Sequence, residues 1–326
     1  MRDATPFPSK KRLCFCTASF GDKYLKFAQL LAQDLQEFAP QSPFLVVTDQ
    51  PAHFRHFPNV IAVKHRCRGV QSYHERRYAI HYGLEIADSV MCIDSDVRIC
   101  APVPQKISFL PGLTARSCGS LSKHMAKRFR KTTSENIKKQ AIIAQMADRV
   151  GISLDDPTLR FINEFLFVVT QDGGREHHFL DIWGDLAIYA DTLGMFKHPT
   201  YAMTLAASKA GFKVYRDEMP GLKFFDDRVV LYELQRQGLE PDAVTQRYLQ
   251  QQAAIEVGDR TLITRIRNRL AKVIARKLTT PASQTRVRLL SAIAPHTLTA
   301  YPQLADARVQ QTSMLPSQNP VSCEQG

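Results

Sequence analysis

The spacing of apolar residues divides the first hundred positions into short apolar runs separated by longer amphipathic stretches. LCFCT (13–17) is a compact apolar run bounded downstream by Gly21 and Asp22, which predicts a buried strand. From Tyr24 to Phe38 the residues Tyr24, Phe27, Ala28, Leu31, Leu35 and Phe38 recur at helical spacing, and Pro40 closes the segment. FLVV (44–47), ending in Thr48 and Asp49, predicts a second strand, and VIAV (60–63) a third. A helix follows over about residues 74–87, with Ile80, Leu84 and Ala87 on one face, and VMCI (90–93) is the next strand.

Strands that read apolar throughout and alternate with helices imply a sheet covered on both faces. The expected fold is therefore α/β, with a mostly parallel central sheet flanked by helices and a helical extension at the C-terminal side. In the second half a polar, basic stretch runs to about residue 160 and holds one helix, 135–150. FLFVV (165–169) predicts a strand, 178–192 a helix, 201–210 a helix stopped by Gly211, and FKVY (212–215) a strand. The Gln/Pro/Ser-rich end beyond about 300 is expected to be disordered. These divisions give a lead (1–11), one α/β domain in two halves (12–100 and 101–235), a basic helical extension (236–300) and a tail (301–326).

Composition narrows the setting. The chain has 326 residues, 44% of them hydrophobic, enough to furnish a core for roughly 220–260 ordered residues. Neither a secretory apolar region nor a membrane span can be drawn in it. Seven cysteines lack zinc-binding spacing, and a reducing cytoplasm is the simpler location. Cys14 and Cys16, two apart on a strand, are expected on one face as small core residues. Lys plus Arg less Asp plus Glu is 43 − 31 = +12, which favours an anionic partner: a nucleotide diphosphate, an acidic acceptor, membrane lipid or, least expected, nucleic acid. The charge is concentrated in 123–139, with seven Lys/Arg against Glu135, and in 261–305, with eight and no acidic residue. Leu262, Ile266, Leu270, Ile274 and Leu278 recur among those cations, predicting an amphipathic helix for an anionic membrane surface or for packing on the domain.

The sharpest local chemistry is MCIDSDVRI: an apolar strand, then Asp94, Ser95 and Asp96, then apolar character again. Two carboxylates at a strand end reach one hard cation, and Mg2+ or Mn2+ completes its shell from phosphate oxygens and water. Ligands of such sheets bind beyond the carboxyl ends of the strands, where Thr17, Ala18, Ser19 and Asp49 also fall.

Together CTASFGDKYLKFAQLLAQDL, FLVVTD and YHERRYAIHYGLEIADSVMCIDSDV resemble the nucleotide-binding half of GT-A glycosyltransferases, over roughly residues 12–100. The resemblance is greatest to glycosyltransferase family 8. It implies transfer of a sugar from a nucleotide-sugar donor, UDP-sugar favoured, to a hydroxyl of a glycan or lipid-linked acceptor, with retention or inversion left open and family 8 favouring retention. Asp94 and Asp96 would hold the metal, with Ser95 between them at the donor. Arg77, or Arg76 beside it, would face the diphosphate. Thr17, Ala18 and Ser19 would lie against base and ribose, where Tyr24 either stacks on the base or opens its helix's core face. Asp49 either contacts the base or ribose or makes a turn before Pro51. FINEFLFVV (161–169) stands where relatives carry Asn-Ala-Gly, so Asn163 and Glu164 are the candidates at the reacting centre, Glu164 orienting or deprotonating the acceptor hydroxyl or accepting hydrogen bonds at a strand start. The family's Asp-Gln pair and its His-x-x-Gly-x-x-Lys segment are absent; His198, Asp226 and Asp227 are the alternatives for a third metal ligand.

Two other classes compete. An aspartate-nucleophile phosphatase also places Asp-x-Asp after an apolar strand, but at the first strand and followed by Thr or Ser, where this chain has Val97. A non-catalytic basic binding protein on a degenerate transferase domain would equally lack the third ligand.

Overall fold

The computed structural model describes residues 11–67 and 72–259, with residues 270, 273–274, 277 and 309–311. The first half follows the apolar pattern. β1 (Lys11–Ser19), α1 (Asp22–Phe38), β2 (Phe44–Thr48), β3 (Val60–Lys64), α2 (Arg76–Ile86) and β4 (Ala87–Ile93) appear in the expected order, and a short 3-10 turn, Ser72–His74, precedes α2. Beyond them come β5 (Arg98–Ile99), β6 (Gly112–Ala115), β7 (Cys118–Ser120), α3 (Leu121–Arg128) and α4 (Ser134–Val150). β8 (Arg160–Ile162), β9 (Leu166–Thr170), α5 (Arg175–Leu193), α6 (Pro199–Lys209) and β10 (Val214–Arg216) follow. The last elements are β11 (Phe224–Phe225), α7 (Asp227–Gln237), α8 (Ala243–Asp259) and β12 (Val309–Gln311).

The central sheet has the order β10-β6-β9-β4-β1-β2-β3-β12. β4, β1, β2 and β3 run parallel, as do β6 and β10, whereas β9 lies antiparallel between β4 and β6 and β12 antiparallel on β3. The sheet is thus mostly parallel, of Rossmann-like character. Strand alternation explains how both faces are buried: Cys14, Cys16, Val90, Cys92, Phe167 and Val169 pack under α2, α4, α5 and α6, while Leu13, Phe15, Met91, Ile93 and Val168 pack under α1. Cys14 and Cys16 share the first face, fully buried, and burial pushes the Cys14 thiol up to about 12.

α2 sits close on β4 because Gly83 presents no side chain. A Cβ there would come within 2.9 Å of both Val90 methyl groups. α8 returns to the first half of the chain: Lys23 pairs with Glu256 at 2.9 Å, and buried Arg98 binds both oxygens of Asp34 (2.5 and 2.6 Å) and the Gln251 side chain (2.6 Å). Among the described residues no helix is long and apolar enough to cross a membrane. Of the amphipathic helix expected over 262–278 only residues 270, 273–274 and 277 are described, each helical, with Leu270 and Ile274 exposed. The rest of it, and the tail apart from β12, lie outside the described residues.

Candidate functional site

β1 and β4 are sheet neighbours whose register sets Cys16 beside Cys92. Past that pair β4 ends at Ile93 and the chain turns away at Asp94, while β1 runs on beside β2 through Thr17 and Ala18, so these residues lie next to the turn. The Asp94 amide donates to the Phe165 carbonyl (3.0 Å), Val97 closes the turn on the Asp94 carbonyl (3.0 Å), and Gln252 of α8 donates to the Asp96 carbonyl (2.9 Å). A turn tied on both sides holds the two carboxylates in place.

Beyond these strand ends lies a cleft of about 370 Å3. Thr17 and Ala18 form one wall with Tyr24, which is 42% exposed and faces the cleft from the first turn of α1. Asp94, Ser95 and Asp96 form the floor. Ser72 and Tyr73 enter from the 3-10 turn before α2, Arg76 from the first residue of α2, Lys197 from the loop before α6, and Arg228 from the first turn of α7.

Asp94 is the electrostatic centre. Arg76 Nη2 stands 2.8 Å from its Oδ1 and Arg228 Nη2 3.7 Å from its Oδ2. Burial nonetheless raises the Asp94 carboxyl to about 6; Asp96 and Glu164 push the same way, and the two arginines oppose. Asp96 is also raised, by burial first, with Arg228 opposing and Asp226 and Asp227 reinforcing. A cleft floor that disfavours carboxylate charge gains by taking up a cation.

Several sequence expectations change. Arg77 is buried and turned away from the cleft, donating to the His74 carbonyl (2.9 Å) and the Tyr78 hydroxyl (3.3 Å); Arg76 faces Asp94 instead. Ser19 is buried with its hydroxyl unbonded, and Asp49 is exposed; neither lines the cleft. Asn163 and Glu164 lie just outside it. The Asn163 amide donates to the Ser117 carbonyl (2.9 Å); the Glu164 carbonyl accepts from Arg76 Nη1 (2.5 Å), and its carboxylate from the Thr200 hydroxyl. Asp226 caps α7, its oxygens accepting from the Arg228 and Val229 amides and the Arg228 guanidinium, and it does not line the cleft. His198 caps α6 in a left-handed conformation, φ 69°, outside the cleft.

Among the described residues no three His, Cys, Asp or Glu side chains are grouped to hold a metal. Asp94 and Asp96 are nevertheless hard oxygen donors, the ligand type Mg2+ and Mn2+ take. Tyr73, Lys197 and Arg228 were not anticipated. Arg228 sits in KFFDDR, which the sequence marks only by its aspartates.

The chain matches no protein-family model and no curated protein. Its fold defines an α/β protein of Rossmann-like character, with a cleft at the carboxyl ends of the adjacent parallel strands β1 and β4.

Proposed function

We propose that this protein is a glycosyltransferase of the GT-A type that moves a sugar from a nucleotide-diphosphate donor to a hydroxyl acceptor. The observation that carries the reading is the meeting of Asp94 and Asp96 with Arg76, Lys197 and Arg228 in one cleft beside Tyr24 and Thr17. Three cations against two carboxylates leave 3 − 2 = +1, and a divalent ion would raise this enough to meet the doubly negative pyrophosphate of a sugar nucleotide. Tyr24 offers a flat face to the base, and the small Ala18 lets the base approach the backbone.

When bound, Mn2+ or Mg2+ at Asp94 and Asp96 would stabilise charge on the departing diphosphate. The residues of the chain do the rest. Arg76 and Arg228 share that charge and hold the diphosphate against the floor. In the transfer the acceptor oxygen bonds to the anomeric carbon, the bond from that carbon to the diphosphate oxygen breaks, and the diphosphate keeps the electron pair. The acceptor proton passes to a base, for which Glu164, oriented by Thr200, is the candidate.

Calorimetric titration of UDP with and without Mn2+ tests this reading. Binding that needs the metal and disappears in Asp96→Ala is the expected result; no binding at millimolar nucleotide sinks the proposal. Hydrolysis of a panel of nucleotide sugars then names the donor.

A further inference from the structure

Beside the cleft stands a second constellation, built from segments the donor site does not use. His124 of α3 stacks on Phe161 of β8, ring centroids 3.4 Å apart and planes 12° from parallel. Phe129, just past α3, and His198 flank the Tyr201 ring at centroid distances of 6.3 and 6.4 Å. Glu164 closes the group by accepting from Thr200. The patch is continuous with the cleft on two sides, through the Arg76 contact to the Glu164 carbonyl and through Lys197 next to His198.

Its rim is cationic. Lys127 and Arg128 stand exposed on the last turn of α3. Lys138 of α4 reaches the Gly194 turn, its ammonium 3.3 Å from where a Cβ on that glycine would lie. Among the described residues Lys127, Arg128, Lys138 and Lys197 form no ion pair, and Glu135 is taken by Lys139 at 2.7 Å. Arg128, Lys127 and Lys197 bear on the patch itself: burial lowers the basicity of His198 and His124, Lys139, Arg128 and Lys197 lower the first further, Arg128 and Lys127 the second, and Glu164 opposes in both. Like charges gathered at the mouth of a site repel one another, and an anionic ligand relieves the repulsion.

We infer that this patch receives the acceptor, and that the acceptor is an anionic glycan whose sugars carry carboxylate or phosphate groups. The inference rests on the transferase reading. A neutral acceptor would meet Glu164 equally well but would leave Lys127, Arg128 and Lys138 without counter-charge. With an anionic acceptor, those three hold the charged group and the His124–Phe161 stack backs the sugar ring. The reacting hydroxyl then lies toward Glu164, between the patch and the donor.

The test uses the full chain and three probes of like size: tetragalacturonate, phosphorylated maltotetraose and plain maltotetraose, titrated at low and at physiological salt, with UDP and Mn2+ titrated in the same preparations. The expected result is at least about ten-fold tighter binding of one or both anionic probes than of maltotetraose, weakened by salt. The two anionic arms tell carboxylate from phosphate. Arg128→Glu combined with Lys138→Glu should remove that preference while UDP affinity stays the same. Lys213→Glu, an exposed cation at a separate cleft lined by Arg160 and Phe212, is the control for bulk charge and should leave it intact. Equal binding of charged and neutral probes by a protein that binds UDP overturns this inference alone, as does an equal loss in Lys213→Glu. A wild-type chain that binds no UDP overturns the transferase reading and this one with it.

Discussion

Arg76 spans two strands at once: its Nη2 meets Asp94 Oδ1 at 2.8 Å at the end of β4, and its Nη1 meets the Glu164 carbonyl at 2.5 Å ahead of β9. One guanidinium therefore ties the acidic floor of the cleft to the segment that borders the second patch, and it does so from the first residue of α2.

Arg76 and Arg77 should separate by mutation. Arg76→Ala removes the cation proposed to face the diphosphate and is expected to weaken UDP binding by about ten- to a hundred-fold. Because it also leaves Asp94 and the Glu164 carbonyl without their guanidinium partner, it should cost about 1–3 kcal/mol of stability as well. Arg77→Ala leaves the His74 carbonyl and Tyr78 hydroxyl underbonded inside the protein, and should cost about 2–4 kcal/mol of stability with UDP affinity preserved. Calorimetry and urea unfolding on both variants check the pair.

His74 gives a pH dependence of known sign. Burial, reinforced by Arg77 and Arg76 and opposed by Glu75, pushes its imidazole down to about 3, and Trp183 Nε1 donates to its Nδ1 at 3.0 Å. The unfolded chain takes up this proton near 6.5, whereas the folded chain resists until about 3. The contribution is therefore complete above pH 6.5 and is lost as pH falls from there toward 3, about 2 kcal/mol of it by pH 5. His74→Gln keeps an acceptor for Trp183 without a titrating group. Its unfolding free energy should fall by about 2 kcal/mol less than that of the wild type between pH 7 and pH 5.

Asp34 and Arg98 form a buried pair, with the Ile99 amide also donating to Asp34 at 3.2 Å. Burial raises the Asp34 carboxyl in spite of Arg98, so the aspartate alone is poorly accommodated. Arg98→Ala should cost about 3–5 kcal/mol, and Asp34→Leu with Arg98→Met together should recover more than half of it, as read from urea midpoints.

Gly83→Ala tests how closely α2 sits on β4. Helix propensity favours alanine by about 1 kcal/mol, but the new methyl meets the Val90 side chain at 2.9 Å, an overpacking cost of about 1–3 kcal/mol. The expected net effect is destabilisation, relieved when Val90→Ala is added. A stabilised single variant would contradict the packing.

Legibility in the sequence tracked burial. β1 to β4 and β9 are visible as apolar runs because both of their faces are covered. β6 is only GLTA, and it is buried because β9 and β10 pair with it from distant parts of the chain. α3 buries Leu121 alone and α7 has no buried residue, so neither shows an apolar stripe that a periodic reading could find. The choice between Arg76 and Arg77 was closed to local reading for a related reason. Neighbouring positions on a helix point about 100° apart, and α2 begins at Arg76 after a 3-10 turn, which breaks the phase carried from its later residues.

From the sequence alone came a two-faced, mostly parallel sheet and an acidic pair at the end of its fourth strand, since the apolar pattern of a segment and the residues that close it are local properties. Which cations meet that pair was decided by the tertiary structure. Arg76, Lys197 and Arg228 lie as much as 152 residues apart (228 − 76), and they converge on Asp94 and Asp96 only because α2, α6 and α7 dock at the carboxyl edge of the sheet. Docking depends on side-chain packing summed over the whole core, and no single segment of the chain carries that information.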